Sequence, residues 1–252
     1  MHGRRYGWIP DHPRHALARY SAQAPVALPP EVDLRPLCPE VWDQQRTNGC
    51  VGFMLAGMIA QIERKMGRVP KERPAPLFLY YNGRAKEHST ASDCGVMIHN
   101  AVTAADELGF SPESLCPFGE EVVCVRPSQA AYDEARKNDV SEHLKIERRL
   151  YDIKHCLADG FSVGAGISIY GSFETPEVAR TGIIPLPNHG EEFKGGHAIL
   201  IVGYSDARRR FIARNSWSAF WGLAGYFEIG YDFMMEPDLS ADIQTIRLSA
   251  AA

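Results

Sequence analysis

The sequence predicts an α+β fold with two lobes, one mainly helical and one built mainly of β-strands. Segments with helical periodicity come first, and short apolar segments separated by turn residues follow after about residue 140. Helices and strands that are grouped in this way along a chain are typical of α+β proteins. We therefore expect a helical lobe at about 44–140, a β lobe at about 141–235, and a substrate cleft between them.

The first thirty residues predict an extended segment that precedes a folded domain at 31–252. This stretch shows little hydrophobic periodicity, and it contains Pro10, Pro13, Pro25, Pro29 and Pro30. Proline fixes φ and removes a backbone donor, so prolines at this density oppose helices and central strands. We expect a strip of chain rather than a module with its own core.

Helices are predicted at about 49–65, 97–109, 127–139 and 152–159. The first is apolar or small on every side over residues 51–60, which predicts a buried first half. Gln61 and Glu63 begin a polar end that we expect to face solvent. The second helix ends at a glycine and the third begins at a proline, as helices commonly do.

Five segments of the second lobe have the composition of β-strands. They are rich in β-branched and aromatic residues and are separated by turn residues. In chain order they are HLKIERRL, FSVGAGISIY, HAILIVGYS, RFIARNSW and GYFEIGY.

Composition and charge argue against nucleic acid and membrane partners. The chain has 252 residues, enough for a substantial core, and a formal net charge of -4 with both signs interspersed. Its apolar stretches are too short for a membrane span, and its amino terminus lacks the apolar core of a secretory signal. A cytoplasmic location is therefore the default expectation, with secretion by a signal-less route as the alternative.

Six cysteines are spread along the chain at 38, 50, 94, 116, 124 and 156. No pair has the close spacing of a zinc site, so we expect no structural metal. Six cysteines over this length are too sparse to predict a disulfide framework. Pairing of Cys116 with Cys124 across their loop stays open as an alternative.

Cys50 stands at the start of the first predicted helix, which is where a thiol can become a nucleophile. A helix amino terminus and a nearby imidazolium both favour the thiolate. Among the histidines, His197 is distinctive because two glycines precede it and a buried strand follows. Asn215 ends the next strand, where its amide could fix the imidazole tautomer. An isolated cysteine is more often a small buried apolar residue, so the inference depends on all three residues together.

From residue 32 onward the sequence resembles the papain-like cysteine peptidases. The resemblance is carried by VDLRPLCPEVWDQQRTNGC, GHAILIVGY and NSWSAFWGLAGYFEI, and YGWIPDHPRHALARY is similar to the amino-terminal segment of a bacterial branch. Papain-type histidine and asparagine residues follow the cysteine by roughly 130–150 residues. His197 fits that spacing and Asn215 slightly exceeds it. The resemblance implies a two-lobe fold with an antiparallel, β-barrel-like second lobe.

The resemblance also assigns roles to individual residues. It makes Cys50 the nucleophile, His197 the base and Asn215 the residue that orients it. Gln44 matches the glutamine whose side-chain amide helps the backbone N–H of the cysteine to bind the oxyanion. Trp217 and Trp221 match aromatic residues that shield the histidine–asparagine hydrogen bond.

Substrate contacts are predicted at four positions of the cleft. Gly95 resembles the glycine that lets substrate backbone pair with the cleft wall, although a helix-entry role is equally compatible with the sequence. Trp217 is assigned beside the catalytic histidine. Met97 and Ala198, together with residues 164–166, are expected to line a pocket that selects an apolar side chain.

Four departures from the family pattern surround the catalytic cysteine. Gln45 replaces the usual glycine after the oxyanion glutamine, and Val51 replaces a bulky aromatic residue. Thr47 replaces a cysteine, so the disulfide of that cysteine is lost and Cys94 has no partner there. None of these changes removes a catalytic group.

The combined inference is a cysteine endopeptidase that cleaves peptide or protein substrates through a thioester, without a metal or another cofactor. Two alternatives stay open: a non-catalytic binding protein with the same fold, and an acyltransferase or transglutaminase-like enzyme that uses the same dyad. Residues 1–30 are too short for the helical prodomain of family zymogens. We expect them to form a strip that covers the cleft and lowers activity.

Overall fold

The computed structural model describes residues 4–15, 17–22 and 26–249. The α-helices of these residues are α1 (Cys50–Lys65), α2 (Pro76–Ala85), α3 (Ile98–Leu108), α4 (Gln129–Ala135), α5 (Leu150–Ala158), α6 (Pro176–Thr181) and α7 (Tyr231–Met235). Short 3₁₀ turns lie at Arg35–Leu37, Glu113–Leu115, Glu120–Val122 and Gly171–Glu174.

The strands of the described residues form one large sheet and one small one. They are β1 (Trp8–Ile9), β2 (Ala18–Arg19), β3 (Glu31–Asp33), β4 (Val96–Met97), β5 (Val140–Lys145), β6 (Val163–Tyr170), β7 (Ile183–Ile184), β8 (Phe193–Ser205), β9 (Arg210–Arg214), β10 (Tyr226–Gly230) and β11 (Ser240–Leu248). The small sheet pairs β1 with β4 in parallel.

The large sheet runs in the order β2, β5, β11, β6, β8, β9, β10, β7, and β3 pairs with β8. Its central neighbours are antiparallel, as the sequence predicted for this lobe. Within the described residues the end strands β2 and β7 are not paired with each other, so the sheet stays open. The barrel-like closure implied by the resemblance is therefore wrong, whereas the α+β class is correct.

Helix α1 is the buried helix that the sequence predicted, and its buried face extends further than expected. Gln61 is fully buried and Glu63 nearly so, which corrects the prediction of a solvent-facing end at these two residues. The Gln61 amide donates to the carbonyl of Gly160 at 3.1 Å and accepts from the N–H of Ser162 at 3.1 Å. These bonds satisfy the buried amide and tie the end of α1 to the turn before β6.

The sequence analysis missed α2, α6, α7 and β11, and it extended the β5 strand too far. Helix α2 was not predicted because its apolar residues are buried on several sides and form no single stripe at helical spacing. Gly83 lies within that helix where it crosses α3, because a Cβ there would lie 2.9 Å from Cα of Ala101. The predicted strand HLKIERRL ends at Lys145, and Leu150 already begins α5.

Extended chain links the amino-terminal segment to both parts of the fold. β1 pairs with β4 of the helical part, and β2 pairs in parallel with β5 of the large sheet. The buried Tyr20 hydroxyl donates to Asp159 at 2.7 Å and lies 2.6 Å from Nδ1 of His155. Residues 4–15 thus lie along the folded surface, whereas 1–3, 16 and 23–25 of the predicted segment lie outside the described residues.

Replacement of Gly109 by alanine should destabilise the fold far more than replacement of Gly67. Both glycines have positive φ, 79° and 74°, so both variants carry the left-handed penalty of about 1–2 kcal/mol. A Cβ at Gly109 would also overlap the carbonyl oxygen of Ala135, whereas at Gly67 it meets no atom within 4 Å. We expect a loss of at least about 3 kcal/mol for Gly109→Ala, measured by urea denaturation. Equal losses for the two variants would contradict this account.

Candidate active site

Cys50 is the first residue of α1 and is completely buried. Its sulfur lies among backbone N–H groups of Ala198 in β8, Gly7 in the amino-terminal segment, and the first turn of its own helix. Burial is the dominant influence and raises the pKa of the thiol to about 11, against the smaller lowering effect of these donors. The sequence placed this cysteine at a helix start, and the fold brings it against the strand that carries the histidine.

His197 is also completely buried, and its ring orientation is determined by Asn215. Nε2 of His197 lies 2.9 Å from Oδ1 of Asn215. The same Oδ1 accepts the backbone N–H of Ser216 at 2.8 Å, so this atom is the oxygen and Nε2 must donate. In the neutral ring, Nδ1 is then the acceptor, and it has no hydrogen-bond partner in the described structure. Burial lowers the pKa of His197 to about 4.

Trp217 and Trp221 enclose this hydrogen-bonded pair. The Trp217 ring lies 5.1 Å from the His197 ring and 5.1 Å from the Trp221 ring, and the two indoles meet edge to face. Phe173 stacks on Trp221 at 5.8 Å. Trp217 therefore packs on the imidazole, and Trp221 packs behind Trp217.

Gln44 is fully buried and its side-chain amide is held at both ends. Its Oε1 accepts the hydroxyl of Ser216 at 2.6 Å, and its Nε2 donates to the carbonyl of Thr47 at 2.8 Å. Nε2 also reaches the carbonyl oxygen of Arg5 at 3.3 Å. The amide that the resemblance assigned to the oxyanion therefore already contacts a peptide carbonyl in the cleft.

The departures around Cys50 have structural counterparts. Gln45 adopts a φ of 52°, a conformation that favours the glycine usual at this position. The hydroxyl of Thr47 donates to the carbonyl of Gln44 at 2.8 Å and so closes the loop. All six cysteines lie in described residues and are free thiols, so the Cys116–Cys124 pair is not formed.

The amino-terminal segment lies over Cys50 and His197. The Tyr6 ring meets His197 edge-on with centroids 6.1 Å apart, and the N–H of Gly7 lies beside the sulfur of Cys50. The carbonyl of Gly7 accepts the N–H of Val96 at 2.8 Å. Gly95 has a φ of 89°, and a Cβ there would lie 2.5 Å from the Gly7 carbonyl oxygen. This glycine permits the close approach of an extended chain.

The predicted pocket residues occupy different surroundings. Ala198 lies beside Cys50, and Met97 pairs with Ile9 in β1. Gly166 faces the cleft, whereas Gly164 of the same expected wall faces Met54 of α1. The structure therefore removes residue 164 from the predicted pocket wall.

Sequence reasoning missed three residues in the cleft, namely Tyr6, Trp8 and Asp242. Trp8 is buried although it belongs to the segment predicted to be a plain strip, and its indole N–H donates to Asp242 at 2.9 Å. Two aromatic residues around a glycine in an otherwise proline-rich stretch were the available signal. No comparable signal marked Asp242, because its position follows from the fold of β11.

Comparison with known proteins agrees with this geometry. Residues 29–242 match the family described as papain family cysteine protease. The chain belongs to that family. It is a cysteine endopeptidase rather than a non-catalytic binding protein.

Two relatives define how close the likeness is. The peptidase is 30% identical over 213 residues to an uncharacterised peptidase C1-like protein of Acanthamoeba polyphaga mimivirus, covering 81% of this chain and 68% of that one. It is 32% identical to xylellain, a cysteine protease from Xylella fastidiosa, with a TM-score of 0.90 over 96% of this chain and 95% of that one. The likeness to xylellain confirms the resemblance to a bacterial branch.

A more distant structure shares the fold alone. Digestive procathepsin L 3 of Tenebrio molitor larval midgut is 18% identical, with a TM-score of 0.73 over 92% of this peptidase and 73% of that chain. In the residues that the structure describes, no helix is long and apolar enough to cross a membrane. Those residues also contain no group of three or more side chains arranged to hold a metal ion.

The thiolate of Cys50 in the full chain should form only as the pH rises toward about 11, because burial disfavours the charged sulfur. The measurement is a pH titration of the ultraviolet absorbance of the thiolate, taken as the difference between the parent and Cys50→Ala so that the other thiols cancel. The same subtraction with Cys94→Ala, which removes an exposed thiol, is the control for detection of a single thiolate. A Cys50 signal that is already complete at neutral pH would reveal a preformed thiolate.

Proposed function

We propose that this peptidase hydrolyses peptide bonds through a thioester formed at Cys50. The observation that carries the proposal is the hydrogen bond from His197 to Asn215, because it leaves Nδ1 as the proton acceptor in the cleft that holds Cys50. A neutral imidazole with a free Nδ1 is the form that can accept the thiol proton. Asn215 acts by fixing this tautomer and ring orientation.

The first half of the reaction forms the acyl-enzyme. The thiol proton moves to Nδ1 of His197, and the Cys50 thiolate attacks the carbonyl carbon. The backbone N–H of Cys50 and Nε2 of Gln44 hold the negative oxygen, supported by the contact that Gln44 makes with the Arg5 carbonyl. As the C–N bond breaks, the imidazolium gives its proton to the departing amine, and a thioester remains.

The second half releases the acid. Water enters where the amine left, gives a proton to Nδ1 of His197, and attacks the thioester carbonyl. The C–S bond then breaks and releases the carboxylic acid, and the imidazolium returns its proton to the sulfur, which restores the free thiol. An added amine in place of water would give acyl transfer, and product analysis with such an amine separates the two chemistries.

We further propose that residues 4–15 hold the enzyme in a covered state. The N–H of Gly7 lies beside the sulfur and the Tyr6 ring lies against His197, so the segment occupies the space that a substrate backbone would need, which supports a blocking role. The segment also contributes to the burial that raises the pKa of Cys50 and lowers that of His197, since Gly7 lies beside the sulfur and Tyr6 lies against the imidazole. Withdrawal of the segment admits water and moves both pKa values back toward each other, which favours the thiolate–imidazolium pair.

Cys50→Ala should abolish covalent capture by an epoxide or vinyl-sulfone thiol inhibitor and reduce peptide hydrolysis by at least about 10³-fold. The reason is that the variant lacks the only atom that can form the thioester in this scheme. Intact-mass spectrometry and a fluorogenic peptide assay measure the two effects. Cys94→Ala, which removes an exposed thiol, is the control and should behave as the parent. Labelling that persists in Cys50→Ala would place the nucleophile elsewhere.

Trp8→Gly should raise the turnover of a fluorogenic peptide by roughly 10–100-fold. The variant removes a buried indole from the segment, and loss of about 1.5–3 kcal/mol of burial weakens the cover by that factor. Arg14→Gly, at an exposed position of the same segment, is the matched control and should change turnover little. Equal rates for Trp8→Gly and the parent would mean that the segment does not limit activity.

A further inference from the structure

The loop that precedes Cys50 is bonded to the loop that precedes β4. The backbone N–H of Asn48 donates to both carboxylate oxygens of Asp93, at 3.1 and 3.0 Å. The side-chain amide of Asn48 donates to the backbone carbonyl of Asp93 at 2.5 Å. All six cysteines are free thiols, so these hydrogen bonds join the two loops without a disulfide.

Tyr80 of α2 extends this connection to the wall of the cleft. It is fully buried, and its hydroxyl donates to Oδ1 of Asp93 at 2.6 Å and accepts the backbone N–H of Gly95 at 2.9 Å. Burial and the neighbouring carboxylate both raise the pKa of Tyr80, so the hydroxyl stays protonated and remains a donor. We call the bonded set the loop link, which consists of Asn48, Asp93, Tyr80 and Gly95.

Tyr80 is fixed in this position by close packing. A Cβ at Gly52, in the first turn of α1, would lie 2.9 Å from Cβ of Tyr80 and 2.4 Å from the carbonyl oxygen of Pro76. This glycine therefore lets α2 lie directly on the start of α1. The guanidinium of Arg84 lies 4.1 Å from the centroid of the Tyr80 ring and donates to the carbonyl of Ser92.

The wall that the loop link holds is the one that pairs with an extended chain. The N–H of Val96 donates to the carbonyl of Gly7 at 2.8 Å, and the N–H of Gly7 lies beside the Cys50 sulfur. The distance from the sulfur to a backbone on this wall thus depends on how the two loops lie against each other. Arg5 of the segment pairs with Asp93 at 3.6 Å, and its withdrawal removes none of the hydrogen bonds of the loop link.

We propose that Asp93 and Tyr80 are positioning residues, which set the place of the Cys50 sulfur relative to a substrate backbone paired with β4. They act through Asn48 and Gly95 and take no part in proton transfer or in the thioester. A displacement of about 1 Å can cost an enzyme about 10²-fold in rate, so the geometry that the loop link maintains affects the reaction directly. The proposal rests on the proposed function, because it requires an attack by Cys50 on a bound peptide.

The experiment compares a reagent that needs the cleft wall with one that does not. A peptidyl vinyl sulfone must pair with the wall before its reactive carbon meets the sulfur, whereas iodoacetamide needs only the sulfur. Both reagents are reacted with full-length Trp8→Gly and with Tyr80→Phe and Asp93→Asn made in it, and mass spectrometry follows the modification of Cys50. We expect each substitution to slow the vinyl sulfone roughly 10–100-fold and to change the iodoacetamide rate little.

Tyr132→Phe in the same background is the matched control. Tyr132 is another buried tyrosine, its hydroxyl donates to Oδ1 of Asn82 at 2.8 Å, and it belongs to a different apolar cluster from Cys50. The control loses a comparable hydrogen bond and should leave both rates unchanged. The double variant of Tyr80→Phe and Asp93→Asn should lose no more than the stronger single variant, because both residues act through one bonded set.

The outcomes separate the positioning role from the peptidase mechanism. Unchanged vinyl-sulfone rates, an equal change of both reagents, or the same selective loss in Tyr132→Phe overturns the positioning role and leaves the mechanism intact. Selective slowing of the vinyl sulfone, combined with no hydrolysis of a fluorogenic peptide by Trp8→Gly, supports the positioning role and counts against the mechanism. Asp93→Asn keeps the shape of the side chain, so it decides the question if Tyr80→Phe does not fold.

Discussion

The close packing of the start of α1 against β8 is the contact on which the site depends. It places the Cys50 sulfur beside the backbone of Ala198, one residue after His197. Further along α1, a Cβ at Gly57 would lie 3.3–3.4 Å from side-chain atoms of Leu200 and Arg214, so this glycine lets the helix lie close on the sheet. The packing of α1 on β8 thus sets how closely Cys50 approaches the strand that carries His197.

Burial under the amino-terminal segment explains the electrostatics of the covered site. The sulfur and the imidazole are both shielded from water, and desolvation favours the neutral form of each. The segment is also anchored well beyond Cys50 and His197. The N–H of His99 donates to Asp11 at 3.0 Å, and the ring of His15 stacks on that of His99 at 3.8 Å. Uncovering the cleft therefore requires the loss of contacts on both sides of it.

The amino-terminal segment contacts the same groups that the proposed mechanism offers to a substrate. Gly95 admits the backbone of the segment, Gln44 contacts one of its carbonyl oxygens, and Gly166 and Gly196 leave room for Trp8. These groups are available to a substrate only when the segment has left.

The sequence by itself determined the α+β class, the first helix and the strand of His197, since these depend on local periodicity and on long motifs. It also identified Cys50, His197, Asn215 and Gln44 as the residues to examine. Only the tertiary structure decided that the sheet is open, that Gln61 is buried, and that Trp8 bonds to Asp242. Such facts depend on contacts between residues far apart in the chain, 234 positions in the last case. Local sequence does not specify which distant group a side chain will contact, because the packing of the helices and strands determines these contacts.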